Sequence, residues 1–253
     1  MRKKKNNKII KSLLGILGII LFLIFWELLH VTKNTPAIPS VKSLFIGIFN
    51  LFSSQDFYFN LFSSLKISII GIFLASIFGI FLGILMNEIV FFKKLLSPLI
   101  NSFRGIASLS LFPILIVLFG IGDSVRIFII FWTAWPPILL NTIRGLEEIE
   151  SELLDASKNL GCNKLQTLFY VKLPLASLNI VNGIKVGIGT GWISLIAAEM
   201  LGATKGLGFM ILVSSQTFKF STSFAYIFIS SAICGIVTFF INVIMKIINK
   251  KLF

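Results

Sequence analysis

Cysteine and histidine are scarce in this sequence, and their scarcity excludes several kinds of functional site. The 253 residues include only Cys162, Cys234 and His30. A structural metal site or a disulfide framework needs clustered ligands or paired thiols, and these three residues are far apart in the chain. The carboxylates are scattered, and no glycine-rich loop carries the lysine of a nucleotide-binding motif. We therefore expect no metal, no cofactor and no catalytic centre.

Charged residues are also scarce, which excludes an ordinary soluble domain. They make up 13% of the chain, whereas hydrophobic residues make up 56% and include 27 phenylalanines. A helix that crosses the hydrocarbon core of a bilayer needs about 20 apolar residues. The sequence contains about six such runs, at 9–30, 65–86, 100–119, 125–143, 175–201 and 224–248. It therefore predicts an all-α integral membrane protein with about six transmembrane helices.

Basic residues outnumber acidic ones by 23 to 10. If the N-terminus is cytoplasmic and the chain crosses six times, the basic residues outside are Lys33, Lys42, Lys66, Arg126, Lys205 and Lys219. The other 17 of the 23, Arg104 among them, are then cytoplasmic. This asymmetry orients membrane helices and attracts anionic lipid headgroups. It accounts for the net charge of +13 without a nucleic-acid partner and predicts that both termini are cytoplasmic.

The first apolar run has two interpretations. The sequence MRKKKNNK precedes it, as a basic segment precedes the core of a secretory signal. The run is long, however, and no small-residue cleavage pattern follows it. We therefore expect a retained helix.

The longest polar segment lies between the fourth and fifth runs, at 144–183, and holds five of the ten acidic residues. Ser151 is placed to cap a short helix, with Glu152 and Asp155 in its first turn and Gly161 after its end. The apolar positions of that helix are Leu153, Leu154, Ala156 and Leu160. Asn163 and Gln166 have the spacing of a second helix start. Leu165, Leu168 and Phe169 share a face of that second helix, and Pro174 is expected to close it. Apolar side chains in a polar segment predict a partner surface.

This segment resembles the EAA motif of ABC importer permeases. Asp155-Ala156-Ser157, three residues, Gly161, nine residues and Val171-Lys172-Leu173-Pro174 keep its spacing. The departures are Asp for Glu, Ser for the second Ala and Val for Ile. Similar segments are LFPILIVLFGIGDS at 111–124, PPILLNTIRGL at 136–146 and AAEMLGATKGLGFMIL at 197–212. The sequence is similar to the nitrate, sulfonate and taurine branch of these permeases.

The resemblance implies a type I ABC importer permease fold in one transmembrane domain over 1–253, with a first helix at 9–30, a core at 65–248 and a cytoplasmic coupling loop at 144–183. It implies a homodimer in a bacterial inner membrane, a separate cytoplasmic ATPase dimer and an external solute-binding protein. It implies a small solute such as a sulfonate, taurine, nitrate or bicarbonate, and leaves open the neutral or cationic vitamin precursors that some members of the branch carry. ATPase coupling is assigned to Glu152, Leu153, Leu154, Asp155, Ala156, Ser157, Leu160, Gly161, Val171, Leu173 and Pro174.

Glu199 is the most informative ionisable residue within an apolar run, because a charge there usually faces a cavity or a partner. One interpretation assigns it, with Trp192 and Ser194, to the translocation pathway or gate. The other is a carboxylate that touches water at the membrane surface or pairs with Lys205. Both interpretations remain open from the sequence.

Small residues and prolines interrupt the apolar runs at regular places. Gly71, Ala75, Gly79 and Gly83, and likewise Gly183, Gly187 and Gly191, recur every four residues and form smooth ridges for close packing. Such ridges predict a compact bundle and a subunit interface. Pro113 and the pair Pro136-Pro137 are expected to break the third and fourth spans, either along a pathway or as ordinary kinks.

Two other classes of function compete with the importer. A secondary transporter or channel would have internal repeats and several ionisable groups at mid-membrane, and the sequence shows no repeat. A structural membrane scaffold fits the composition and leaves the motif spacing unexplained.

Overall fold

The computed structural model describes the backbone of residues 2–33 and 35–252, and the side-chain surroundings of 14–243 and Met245 apart from Ile16 and Asn34. The helices are α1 (Arg2–Lys33), α2 (Val41–Phe52), α3 (Gln55–Glu88), α4 (Val90–Arg104), α5 (Phe112–Phe119), α6 (Asp123–Glu147), α7 (Ser151–Asn159), α8 (Lys164–Thr167), α9 (Leu173–Gly202), α10 (Leu207–Gln216) and α11 (Phe220–Leu252). A 3₁₀ turn (Ser108–Leu111) precedes α5, and a π-helical turn (Leu168–Lys172) joins α8 to α9. Within these ranges there is no strand, which confirms the all-α prediction.

Four of the described helical segments are long and apolar enough to cross a membrane. They are Gln55–Glu88, Asp123–Glu147, Lys164–Gly202 and Phe220–Val243. The pair Val90–Arg104 and Ser108–Phe119 makes a fifth if it counts as one bent span. The first predicted run, 9–30, lies within α1, and the side chains that begin it fall outside the described part of the chain. The chain is therefore a multi-pass membrane protein.

The third predicted span is not a continuous helix. The helix α4 ends at Arg104, and the segment that follows is bent from it by 85°. Pro113 does not break a helix, because it lies in the first turn of α5, where a missing N–H costs nothing. Pro136 and Pro137 lie inside a continuous α6, so the predicted break in the fourth span is wrong.

The second span begins ten residues earlier than predicted, at Gln55 instead of Leu65. The predicted run at 65–86 left Asn60 and Ser64 outside the span. Both are buried, because their side chains bind groups that are distant in sequence. Burial of a polar group is tolerated when it is hydrogen-bonded.

The glycine ridges of α3 and α9 both pack against α6. A Cβ atom on Gly79 would lie 2.9 Å from the Trp135 carbonyl oxygen, and one on Gly187 would lie 3.1 Å from the Ala134 carbonyl oxygen. These residues are therefore small because the backbones of three helices approach closely. The predicted compact packing is confirmed. The predicted subunit interface is wrong for these ridges, because helices of the same chain cover them.

The described contacts divide the chain into two compact units, residues 1–58 with 210–229 and residues 59–209 with 230–253. In the first unit, Trp26 of α1 packs edge-on against Phe224, with ring centroids 5.1 Å apart. Its indole N–H donates to the Pro39 carbonyl, and the Val41 N–H donates to Glu27. These bonds fix the turn that leads into α2. The prediction of one domain over 1–253 stays a prediction.

Candidate functional site

The polar segment 151–174, here called the elbow, begins with the helix α7. Its N-cap is Glu150, which makes no side-chain capping bond, so the prediction that Ser151 caps it is wrong. The Leu153 N–H donates to the Glu150 carbonyl, so Glu150 and not Ser151 is the residue that precedes the first turn of α7. At the other end, Gly161 has φ +80°. Its N–H donates to the Lys158 carbonyl, and the Cys162 N–H donates to the Ser157 carbonyl. This pair of bonds is a Schellman motif and confirms the predicted C-cap.

The second helix of the elbow starts as predicted but does not end at Pro174. Asn163 and Gln166 form a reciprocal capping box, with two bonds of 2.8 Å. The helix then continues from Lys164 to Gly202. Pro174 cannot donate to a carbonyl in the preceding turn, and the π-helical turn Leu168–Lys172 stands directly before it. The elbow is thus continuous with the long spanning helix α9.

Ser157 ties the two helices of the elbow together. Its side chain is 4% exposed, and its hydroxyl donates to the Leu154 carbonyl at 2.8 Å. It also lies 3.3 Å from the Thr167 hydroxyl of α8. Serine in place of the motif's second alanine therefore adds a polar contact between α7 and α8.

Polar contacts and a small apolar core join the base of the elbow to the membrane helices. Lys172 pairs with Glu88 at the end of α3, and Lys93 of α4 pairs with Glu147, each at 2.5 Å. Asn179 donates to Glu148 at 2.8 Å. A core cluster lies beside these contacts, and its members are Leu146, Ala176 and Ile180, with Ile149 and Leu173 packed against it. The motif residue Leu173 therefore packs at the base of the elbow.

The far side of the elbow exposes large apolar side chains to solvent. We call these five residues the coupling surface: Leu153, Leu160, Leu165, Phe169 and Tyr170. Leu160 and Tyr170 are the most exposed, at 83% and 78%. Apolar side chains outside the hydrocarbon core need another protein to cover them.

The other predicted coupling residues differ in their exposure. Glu152, Asp155 and Ala156 are exposed, and Leu154, Val171 and Pro174 are half-buried. Asp155 pairs with Lys158 at 2.9 Å in an exposed ion pair of the kind that contributes little stability. Sequence reasoning did not single out Tyr170, although its position beside Phe169 in a polar segment was a usable signal.

Glu199 lies in a buried polar cluster near the C-terminal end of α9. Its side chain is 0% exposed. One carboxylate oxygen accepts from the Ser64 hydroxyl at 2.7 Å, and the other accepts from the Gly208 N–H at 2.8 Å. The Arg126 guanidinium lies 3.8 Å from the first of these oxygens. A buried carboxylate is stable when it is hydrogen-bonded and charge-compensated in this way.

The same cluster fixes the connection between α9 and α10. The Gly206 N–H donates to Asn60 at 2.7 Å, and the Leu207 N–H donates to Ser64 at 2.9 Å. Gly206 has φ +120°, and a Cβ atom there would lie 2.3 Å from a Glu199 carboxylate oxygen. Only glycine fits this position without strain. The Glu199 cluster thus joins α3, α6, α9 and the turn before α10.

These contacts correct one of the two interpretations of Glu199. It does not touch water, and its cationic neighbour is Arg126. Lys205 instead lies 3.8 Å from Asp123, which also pairs with Arg126. The surface interpretation is therefore wrong, and the pathway assignment stays a prediction.

We describe three cavities in the second unit. The three predicted pathway residues do not share any one of them. The first, about 360 Å³, lies at the bend after α4 and is lined by Ser108 and Thr133 among others. The second, about 380 Å³, is apolar and is lined in part by Trp192, whose indole N–H donates to Ser230. The third, about 300 Å³, lies between α4 and α6. Ser194 adjoins the first cavity through a 3.1 Å bond with Thr133, and Glu199 lines none of the three.

Arg104 also lines the first cavity, beside Trp132 and Pro136 of α6. These two residues lie near the middle of a 25-residue spanning helix. Arg104 is exposed, and part of its side chain lines this cavity. Its cytoplasmic placement stays a prediction. The basic residues at the two chain ends lie outside the described side chains.

The fold and the elbow define an ABC importer permease. The sequence profile of the family described as "binding-protein-dependent transport system inner membrane component" matches residues 71–253. This chain belongs to that family. The match covers every spanning helix from the second half of α3 onward and includes the whole elbow.

Within the family, the chain is similar to permeases named for small anionic or zwitterionic solutes. It is 26% identical to the taurine transport system permease protein TauC of Escherichia coli, over 92% of this chain and 86% of TauC. It is 30% identical to the nitrate import permease protein NrtB of Synechocystis sp., over 83% and 81% of the two chains. It is 32% identical to the bicarbonate transport system permease protein CmpB of Synechococcus elongatus, over 83% and 79%.

A solved structure confirms the type I fold. The membrane subunit of the MetNI methionine ABC transporter, in an inward-facing conformation, superposes with a TM-score of 0.64 and 22% identity. The match covers 79% of this chain and 99% of that chain.

Proposed function

We propose that two copies of this chain form the membrane pathway of an ATP-driven importer for a small anionic or zwitterionic solute. A taurine-like sulfonate, nitrate and bicarbonate are the candidate solutes, because the relatives are named for them. An external binding protein delivers the solute, and ATP is hydrolysed by a separate cytoplasmic ATPase dimer. The protein lies in a cytoplasmic membrane with both termini inside.

The observation that carries this proposal is the coupling surface on a rigidly attached elbow. Five large apolar side chains are exposed, while the Lys172–Glu88 ion pair and a small core hold the elbow's base to α3 and α6. Covering a side chain of this size stabilises a complex by about 1.5–3 kcal/mol before the costs of association. Because the elbow continues into α9, a displacement at the coupling surface moves a spanning helix.

An ATPase works on such a permease only if it binds the permease's two arrangements unequally. The elbow must therefore keep its shape when the ATPase moves it. The Schellman motif at Gly161 and the Ser157–Thr167 contact give α7 and α8 a fixed mutual orientation.

The test is ATP-dependent uptake by cells that carry variants of the coupling surface. We expect Leu160→Glu to lower uptake at least tenfold, because the new carboxylate would have to be buried against the ATPase, whereas the amount of protein in the membrane stays normal. Phe169→Ala should lower uptake less. Phe218→Ala, which removes an aromatic ring that is 80% exposed outside the elbow, is the matched control and should have no effect. Normal uptake by Leu160→Glu would overturn the docking role. Uptake that survives ATP depletion and stops with a protonophore would favour a secondary transporter instead.

A further inference from the structure

The cavity at the bend after α4 contains one charged side chain, that of Arg104. The residues that line the cavity are Phe103, Arg104, Ile106, Ala107, Ser108, Leu109, Trp132, Thr133, Pro136 and Pro137. They come from the end of α4, from the bend itself and from the middle of α6. A break in a helix at this depth is tolerated where it is buried in protein or lines a water-filled space.

The Arg104 guanidinium has no carboxylate within ion-pair distance among the side chains that the structure describes. The other cations near the interior are neutralised. Lys93, which lines the third cavity, pairs with Glu147, and Arg126 lies between Asp123 and Glu199. Arg104 is exposed, so an anion that enters the cavity can reach its unpaired guanidinium.

Hydroxyl groups stand beside this cation. Ser108 and Thr133 line the cavity. The Ser194 hydroxyl of α9 lies 3.1 Å from that of Thr133 and 3.4 Å from that of Ser108. Thr133 is also bonded to the Ile129 carbonyl at 2.9 Å, whereas Ser108 can turn its proton either to Ser194 or into the cavity. Ser108 is therefore the hydroxyl donor that is free to reorient toward a ligand.

Aromatic side chains also line the cavity. The rings of Phe103 and Trp132 lie 5.7 Å apart, and the two prolines of α6 line the cavity with them. The cavity thus combines a cation and hydroxyl groups with apolar surface. The second cavity has no charged lining residue, and the third carries its cation already paired.

We propose that this cavity is a solute subsite within the permease, in which the Arg104 guanidinium and the Ser108 hydroxyl bind the oxyanion group of the solute. The inference rests on the proposed function, because it takes the solute to be an anion or a zwitterion. A guanidinium presents parallel N–H donors that match two oxygens of a carboxylate-like, nitrate or sulfonate group. The aromatic residues contact the apolar part of an organic solute. The linked hydroxyl groups of Ser108, Thr133 and Ser194 connect the subsite to α9, which is continuous with the elbow.

The experiment uses the whole importer, with its ATPase and binding protein, in proteoliposomes. Taurine, nitrate and bicarbonate serve as separate probes at saturating binding protein, and the measured quantity is solute accumulated per ATP hydrolysed. We expect Arg104→Gln to lower this ratio about tenfold or more for the transported probe, since a charge-assisted hydrogen bond is lost. Arg104→Lys should recover part of it, and Ser108→Ala should lower it less. Lys94→Gln removes an exposed charge from the same helix and is the matched control.

The possible outcomes separate this inference from the proposed function. If the wild-type importer moves none of the three probes with ATP, both the solute class and the subsite are overturned. If it moves one of them and Arg104→Gln keeps the same ratio, only the subsite is overturned. An equal loss in Arg104→Gln and Arg104→Lys also overturns the subsite, because it indicates a packing role. A loss in Arg104→Gln with partial recovery in Arg104→Lys and no loss in Lys94→Gln supports it.

Discussion

The elbow and the Glu199 cluster are both rich in polar groups, but they use them in opposite ways. In the elbow the acidic side chains are exposed, pair weakly and surround apolar residues that are also exposed. In the Glu199 cluster a single carboxylate is fully buried, and both of its oxygens accept hydrogen bonds. An exposed mixture of apolar and charged groups suits a surface that another protein covers and releases. A buried carboxylate whose oxygens are both hydrogen-bonded suits a contact between helices that stays closed.

We therefore expect the two ends of α9 to have different roles. At one end the elbow exposes the apolar residues that we propose contact the ATPase, and at the other end the Glu199 cluster holds α9 to α3 and α6. A helix that is pushed at one end transmits the displacement only if its other end is held. The Glu199 cluster supplies that resistance.

Replacing Glu199 should have the largest effect on stability and would test this contact directly. In Glu199→Ala the Ser64 hydroxyl and the Gly208 N–H lose their acceptor, and Arg126 keeps only Asp123 as a carboxylate partner. Removing one member of a buried ion pair costs about 3–5 kcal/mol. The melting temperature in detergent should fall sharply, whereas Glu152→Ala in the elbow should leave it unchanged. Equal melting temperatures for the two variants would contradict the contrast between the regions.

A smaller loss is expected at the turn that the cluster fixes. Gly206→Ala forces an alanine to φ +120° and brings its Cβ within 2.3 Å of the Glu199 carboxylate. Backbone strain of this kind costs about 1–3 kcal/mol, to which the displacement of Glu199 adds. Gly122→Ala is the control, because Gly122 has an extended backbone and no heavy atom within 4 Å of the added methyl group. A Gly206→Ala protein as stable as Gly122→Ala would show that the turn is not fixed as described.

The smallest effect is expected inside the elbow. Ser157→Ala restores the family's motif residue and loses the contact with Thr167, which is half-buried and can find water. The change in unfolding free energy should be at most about 1 kcal/mol. Thermal melts should barely move, and uptake should fall slightly if the contact helps to hold α7 against α8. A large drop in melting temperature would indicate that the elbow is a stability element and not a partner surface.

Local signals predicted the elements whose chemistry is local. The capping box at Asn163 and the C-cap at Gly161 each depend on residues within one turn, and the structure contains both. Asn60 and Ser64 were left outside the second predicted span, because their partners lie more than 130 positions away. No local pattern could reveal those contacts.

Prolines misled the sequence reasoning for a related reason. Pro136, Pro137 and Pro174 were expected to break or end helices, but Pro136 and Pro137 lie inside a continuous α6, and a π-helical turn precedes Pro174. The actual break follows Arg104, where Gly105 ends α4. The cavity at this bend, which Arg104 and Ser108 help to line, was recognised only from the structure.

The most direct test of the central claim is site-specific photocrosslinking in membranes. A photoreactive phenylalanine analogue at Leu160, on the coupling surface, should yield an adduct with the ATPase, and the yield should change when ATP binds. The same analogue at Phe218 should yield none. An ATPase adduct of equal yield from both positions, or no ATPase adduct from Leu160, would contradict the claim that the elbow is where the ATPase binds.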